Sequence, residues 1–166
     1  MQGLEEIGFA QDDQGYYTTR LVKDDDVLQL AATIFERRFQ RGSYITNARD
    51  AAELLRHRLA LREHEMFVVL WLDHRHRFIA YDELFRGTIG GTAVYPREVV
   101  KAGLKHNAAA AIVAHNHPSG IAEPSRADEV LTTKLKAAFE LVDIRLLDHL
   151  IVAGEGVVSF SERGLL

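Results

Sequence analysis

The sequence predicts an α/β fold, a layered domain in which a mixed β-sheet is flanked by helices. Two runs, Met66 to Leu72 and Ala108 to His115, are apolar at nearly every position, as expected of strands buried on both faces. Around them lie stretches with helix-start residues and helical apolar spacing, so strands and helices alternate along the chain. With 166 residues, 47% hydrophobic and 27% charged, there is enough apolar material for one main core and a small additional segment.

Taken in order, Gln11 to Gly15 is polar and turn-like, and Tyr16 to Val22 has the aromatic and β-branched content of a short strand. Asp24, Asp25 and Asp26 supply helix-start chemistry for an amphipathic helix through Phe39, with Val27, Leu30, Ala31 and Ile34 on one face, and Gly42 ends it. A boundary near Gly42 to Thr46 divides the chain into a strand–helix extension, residues 1–45, and a main domain, residues 46–166. Asn47 is placed to cap a helix from Ala48 to Leu61.

Met66 to Leu72 is then the first central strand, and the polar turn Asp73 to Arg77 leads into a second strand, Phe78 to Phe85. Gly87, Gly90 and Gly91 punctuate the approach to a short strand at Thr92 to Tyr95. Pro96 opens a helix running to His106, with Glu98 in its first turn. After the strand Ala108 to His115 come a helix from Arg126 to Leu141, a strand from Ile144 to Ala153, a turn at Gly154 to Gly156 and a last strand, Val157 to Phe160. No repeats or low-complexity tracts interrupt this pattern.

Composition narrows the chemistry. The absence of cysteine excludes disulfides and thiolate metal sites, so any metal must be held by His, Asp, Glu or water. Residues Met1 to Phe9 include Glu5 and Glu6 and have no apolar core, so they do not read as a secretory signal, and a cytoplasmic location is expected. No uncharged apolar run approaches the roughly 20 residues of a membrane helix. A net charge of −4 does not support nucleic acid as a partner, and Arg56, Arg58 and Arg62 read as a solvated helix face.

The chemistry-bearing residues cluster late in the chain. In His115-Asn116-His117 the histidines are two apart at the end of a predicted strand, so both imidazoles point to one side. The chain turns at Pro118-Ser119-Gly120, and Asp128 arrives in the first turn of the following helix. Two histidine nitrogens, one carboxylate and an open fourth position form the ligand set of a catalytic zinc, which lowers the pKa of water to about 7 and polarises an amide carbonyl. Each piece also has an ordinary reading. His74-Arg75-His76 is a second His-x-His, but it lies in a charged turn with no third ligand nearby, and Ser125-Arg126-Ala127-Asp128 is a helix-capping pattern. The joint spacing, His-x-His, seven residues, Ser, two residues, Asp, favours the metal.

That pattern resembles the metal motif of JAMM (MPN) proteins, and the chain is similar to the RadC family in particular. The likeness rests on His115-Asn-His-Pro-Ser-Gly120, Pro124-Ser125, Pro96-Arg97-Glu98 and Leu146-Leu147-Asp148-His149, and extends from about Thr46 to Leu166. It implies a JAB/MPN-like fold with an architecture like that of cytidine deaminases, and a Zn2+-dependent hydrolase of a peptide or isopeptide amide bond in a peptide or protein substrate. It also implies a glutamate just before the first core strand as general base. Glu65 matches that position, with Glu63, Glu83 and Glu98 as rivals. Ser125 would donate to the oxyanion, while Asp148 and His149 would be structural or would support the ligands.

The likeness does not include the helical, DNA-binding-like N-terminal module of longer RadC proteins, and short forms of this kind suggest mobile elements and prophages. The alternative function is a non-catalytic DNA-repair or mobile-element accessory with a structural metal site. A metal-dependent nuclease is disfavoured by the acidic balance and the single site. His-Asn-His is not the dispersed HNH nuclease motif, Val68 breaks a His-Glu-x-x-His reading of His64-Glu65, and the lack of cysteine rules out a cytidine-deaminase zinc site. Exposed strand edges would permit a dimer.

Overall fold

The computed structural model describes residues 4–38, 40–45, 48–60, 62–88, 91–154 and 156–166, with the backbone alone for 35, 36, 38 and 48. The expected helix ends at Phe39 and Leu61, the boundary residue Thr46, the cap Asn47 and the punctuating Gly90 lie outside the described residues. In chain order the elements are β1 (Phe9–Asp12), β2 (Gly15–Thr18), α1 (Asp24–Arg38), α2 (Ala48–Leu59), β3 (Met66–Leu72), β4 (Phe78–Arg86), α3 (Pro96–Lys105), β5 (Ala110–Asn116), α4 (Arg126–Glu140), β6 (Arg145–Ala153) and β7 (Gly156–Ser159). They fall into two compact units, one ending at Gln40 and the other running from Arg41 to Leu166.

In the first unit β1 and β2 form an antiparallel hairpin, and Ile7, Phe9 and Leu30 make a small core with Tyr16, Val22 and Ile34 against it. Gln11 and Asp12, expected in a turn, are strand residues; the turn follows them, where Asp12 Oδ1 accepts from Gln14 N at 2.8 Å and Gly15 N at 3.0 Å. The strand expected over Tyr16 to Val22 stops at Thr18, where the ladder with β1 ends at Phe9; beyond it Thr19 N still donates to Gly8 O at 2.9 Å, in the turn that precedes β1.

The second unit is built on a five-stranded sheet of order β4-β3-β5-β6-β7. β3 runs antiparallel to β4 and β5, β5 is parallel to β6 through the α4 crossover, and β7 returns antiparallel to β6, so the sheet is mixed. Every residue of β3 and β5 is buried. Side chains alternate across a strand, so Phe67, Val69, Trp71, Ala111 and Val113 share one face, where Val99 of α3 and Leu135 and Phe139 of α4 pack on them. Val68, Leu70 and Leu72 point the other way, the side from which α2 contributes its buried Ala51, Leu54, Leu55 and Leu59. The resulting layers, helix, mixed sheet, helices, are the α/β architecture the sequence predicts.

Two local features position the later chemistry. Thr92 to Tyr95 do not form the expected strand. Thr88 and Gly91 form an isolated bridge with each other, Thr92 Oγ1 donates to Glu65 O at 3.3 Å, and the carbonyl of Tyr95 accepts the first amides of α3. The segment is thereby tied to the start of β3 rather than to a sheet edge. Its turn depends on Gly87, where a Cβ would fall 2.3 Å from Gly91 O. At the opposite end of α3, His106 Nε2 and Trp71 Nε1 both contact Asp82 Oδ2, at 2.7 and 2.9 Å, locking the helix onto β3 and β4. Among the described residues no helix is long and apolar enough to cross a membrane.

Candidate metal centre

β3 and β5 are antiparallel with Phe67 opposite His115, so the start of β3 and the end of β5 meet at one end of the sheet, in its interior strands. Glu65 and His117 lie just beyond that ladder, each two residues past its last pair. The N-terminus of α4 reaches the same place because the loop after Pro118 returns the chain over the sheet. A cleft of about 480 Å³ opens there, lined among others by Glu65, Phe67, Thr92, Val94, His115, His117, Ser125, Asp128 and Leu131.

His115, His117 and Asp128 converge, with one candidate ligand atom from each lying within 4.8 Å of the others. The two Nε2 atoms are 3.0 Å apart, His115 Nε2 is 3.2 Å from Asp128 Oδ1, and His117 Nε2 is 3.6 Å from Asp128 Oδ2. Nitrogen lone pairs brought this close to each other and to a carboxylate need shared protons or a cation between them. The donor set, two imidazoles and a carboxylate without thiolate, therefore fits a divalent metal. His117 Nδ1 lies 2.9 Å from Ile121 O, a pure acceptor; it must carry the hydrogen, which leaves Nε2 bare in the neutral ring.

The electrostatics follow from the same contacts. Burial would raise the Asp128 carboxyl, but its close contacts with the imidazoles of His115 and His117 and with the Ser125 hydroxyl outweigh it and favour the carboxylate, holding the group well below the usual carboxylate range. Its hydrogen bond to Asp128 raises His117 above an ordinary histidine, against the opposing effect of its own burial. Burial, reinforced by the neighbouring His115, pushes His149 down to about 3.

The two readings of Ser125 to Asp128 coexist. Ser125 N and Ser125 Oγ donate to Asp128 Oδ2 at 2.8 and 2.6 Å, and Asp128 N donates back to Ser125 Oγ at 3.2 Å, a complete capping box at the start of α4. The cap orients the carboxylate so that Oδ1 faces His115.

The rival glutamates are elsewhere. Glu83 is engaged by Arg62 Nη2 at 2.7 Å and Tyr81 Oη at 3.1 Å, and Glu98 pairs with Lys101 at 3.4 Å beside a separate groove along α3. Neither lines the cleft, and nor does Glu63. His74 is exposed in the β3–β4 turn, and His76 faces Arg145 at 3.0 Å. Asp148 and His149 are both buried but do not pair through their side chains, since neighbours on a strand face opposite ways. Asp148 accepts from Ser159 Oγ at 2.6 Å and from two backbone amides, whereas His149 Nε2 sits 2.9 Å from His115 Nδ1.

Two contributors carried no signal in the sequence. Asn116, between the ligand histidines, turns to the other face of the sheet, where its Oδ1 accepts from Met66 N at 2.8 Å and its Nδ2 donates to His64 O at 3.1 Å. It clamps the residues on either side of Glu65. Thr132, one turn after Asp128 on α4, reaches His149 Nδ1 at 2.6 Å.

Residues 45–165 match the model of the RadC-like JAB domain. A UPF0758 protein of Methylibium petroleiphilum is 55% identical over 140 residues, 84% of this chain and 63% of its own length. One from Vibrio cholerae is 52% identical over 151 residues, 91% of this chain and 95% of its own. A third, from Thioalkalivibrio sulfidiphilus, is 54% identical over 140 residues, 84% of this chain and 62% of its own. The chain thus spans less than two thirds of the first and third of these relatives and nearly all of the second.

Proposed function

The chain belongs to the RadC-like JAB domain family, and from that premise we propose that it is a zinc-dependent hydrolase of peptide or isopeptide amide bonds. The observation that carries the proposal is the meeting of His115, His117 and Asp128 with Glu65 in one cleft. Zinc held by those three residues would supply Lewis acidity, polarising the amide carbonyl and making water acidic near neutral pH.

The chain's own residues do the rest. Glu65, which lines the same cleft as His117, takes the proton of the attacking water and delivers it to the departing amine. Its placement is fixed from behind by Asn116 and from the side by Gly87 N and Thr92 Oγ1, which donate to its carbonyl at 2.8 and 3.3 Å. Ser125 is the donor assigned to the oxyanion; its hydroxyl hydrogen, which rests on Asp128 Oδ2, turns to the substrate oxygen as charge develops. Phe67, Val94 and Leu131 line the walls with apolar surface that limits competing water.

The test joins metal content with turnover. Wild-type protein purified without added metal or chelator should carry about one zinc per chain, lost in His117→Ala and Asp128→Asn. Glu65→Gln should retain zinc and lose hydrolysis of a fluorogenic peptide or isopeptide by about 10²- to 10⁴-fold. Undiminished hydrolysis by zinc-loaded Glu65→Gln would remove Glu65 from the mechanism. Zinc binding without cleavage of any amide substrate would favour the non-catalytic accessory reading.

A further inference from the structure

We propose that Thr132 and His149 form a positioning relay that holds His115 in the tautomer whose Nε2 is open to a metal. The proposal rests on the metal reading of the site, but its central measurement needs no metal.

The direction of each hydrogen bond follows from the end of the chain of contacts. Thr132 Oγ1 is 2.6 Å from Asp128 O, a carbonyl that can only accept, so the hydroxyl hydrogen goes there. With its one hydrogen used, Oγ1 meets His149 Nδ1, also at 2.6 Å, as an acceptor, and Nδ1 therefore carries the hydrogen. His149 is 0% exposed and stacked on Phe160 with ring centroids 4.7 Å apart, a setting that disfavours a charged imidazolium. Its Nε2 is then a bare lone pair. His115 Nδ1, 2.9 Å away, donates to it, and the Nε2 of a neutral His115 is left without hydrogen on the side facing His117 and Asp128.

Reversing every bond gives the competing state. The Thr132 hydroxyl would donate to His149 Nδ1, His149 Nε2 would donate to His115 Nδ1, and the hydrogen would emerge on His115 Nε2, within 3.2 Å of Asp128 Oδ1. That arrangement satisfies the carboxylate and blocks the site. The hydroxyl of Thr132 chooses between the two, and it is tied to the backbone of the ligand residue Asp128, so the relay closes a loop joining a ligand on β5 to one on α4.

An ordinary structural reading accounts for less of this. A helical threonine often bonds the carbonyl four residues back. Here, however, Thr132 is 1% exposed and His149 0% on a sheet face otherwise packed with Phe67, Val113 and Leu135. Apolar side chains there would avoid the desolvation that buried polar groups incur.

The decisive measurement is the histidine ¹⁵N–¹H correlation spectrum of the metal-free protein at about pH 8, with His149 assigned by the signal missing from His149→Gln. His149 with hydrogen on Nδ1 and a bare Nε2 is the expected result. Hydrogen on Nε2 would overturn the relay, because His115 Nδ1 would then have to accept. In parallel, Thr132→Val keeps the shape and removes the hydroxyl, and should weaken zinc binding about 10- to 100-fold in chelator competition, with Thr132→Ser restoring it. Unchanged affinity in folded Thr132→Val would also overturn the relay; should that variant fail to fold, the wild-type spectrum still decides. The expected tautomer in a wild-type protein that takes up no zinc would overturn the metal reading, whereas the opposite tautomer in a protein that binds zinc would overturn the relay alone.

Discussion

Asp128 accepts from Ser125 through one carboxylate oxygen and faces His115 with the other, so the helix cap and the metal ligand are a single side chain. Ser125→Ala should therefore have two separable effects. Urea denaturation in the presence of chelator should show a loss of about 1 kcal/mol from the missing cap, and zinc titration of the folded variant should show weaker binding, since Oδ2 keeps the Ser125 backbone amide but loses the hydroxyl. A second carboxylate, Asp73, gives the residue scale a pH test. The backbone amide of Arg77 pulls Asp73 down most, burial opposes it, and the Arg77 guanidinium and the Arg75 amide add to the pull, so that the group lies at about 2. A folded-state value below the ordinary 3.8 means stability that is fully present above 3.8 and is lost as pH falls through about 2. The urea midpoint of Asp73→Asn should lie below that of wild type at neutral pH, and the gap should close as pH drops from 4 toward 2. His115, His117 and Asp128 were legible in the sequence because residue type and spacing lie within one stretch of chain. Asn116 and Thr132 were not, because their partners stand 50 and 17 residues away and only the folded sheet brings them together.

At the scale of elements, β3 and β5 could be read from composition alone, since a strand covered on both faces has little room for polar residues. β1 escaped notice for the opposite reason: of Phe9 to Asp12 only Phe9 is buried, and Ala10, Gln11 and Asp12 give it no apolar alternation. Thr92 to Tyr95 misled because extended backbone and β-branched content do not decide whether a ladder forms, and this segment uses its polar groups on Glu65 and on the start of α3. α3 itself makes a packing prediction. Gly103 sits where the helix crosses the sheet, and a methyl group there would come within 2.8 Å of Ile144 Cδ1 and 2.9 Å of Trp71 Cζ3. Trp71 is held by its bond to Asp82 and by edge-on packing against Phe139, so it has little freedom to retreat. Gly103→Ala should cost about 1–3 kcal/mol by overpacking, in spite of alanine's better helix propensity, and thermal or urea melts would measure it.

For the whole molecule, every residue assigned to the metal, the base, the oxyanion and the relay lies in the unit from Arg41 to Leu166, and that confinement makes stability a readout of the site. A ligand that binds only the folded state stabilises it by mass action, about 2.7 kcal/mol when present at 100 times its Kd. For a unit of this size that corresponds to a rise in Tm on the order of 10 °C. Scanning calorimetry with saturating zinc and then with excess chelator should show that rise and its reversal in the transition of the second unit. The shift should be absent in His117→Ala, which lacks a ligand, and preserved in Glu65→Gln, whose altered side chain is placed to act on water rather than on the metal. A shift of equal size in His117→Ala would mean that zinc binds somewhere other than the cleft. Loss of the shift in Glu65→Gln would make Glu65 a fourth ligand, and the open position needed for an attacking water would then be filled.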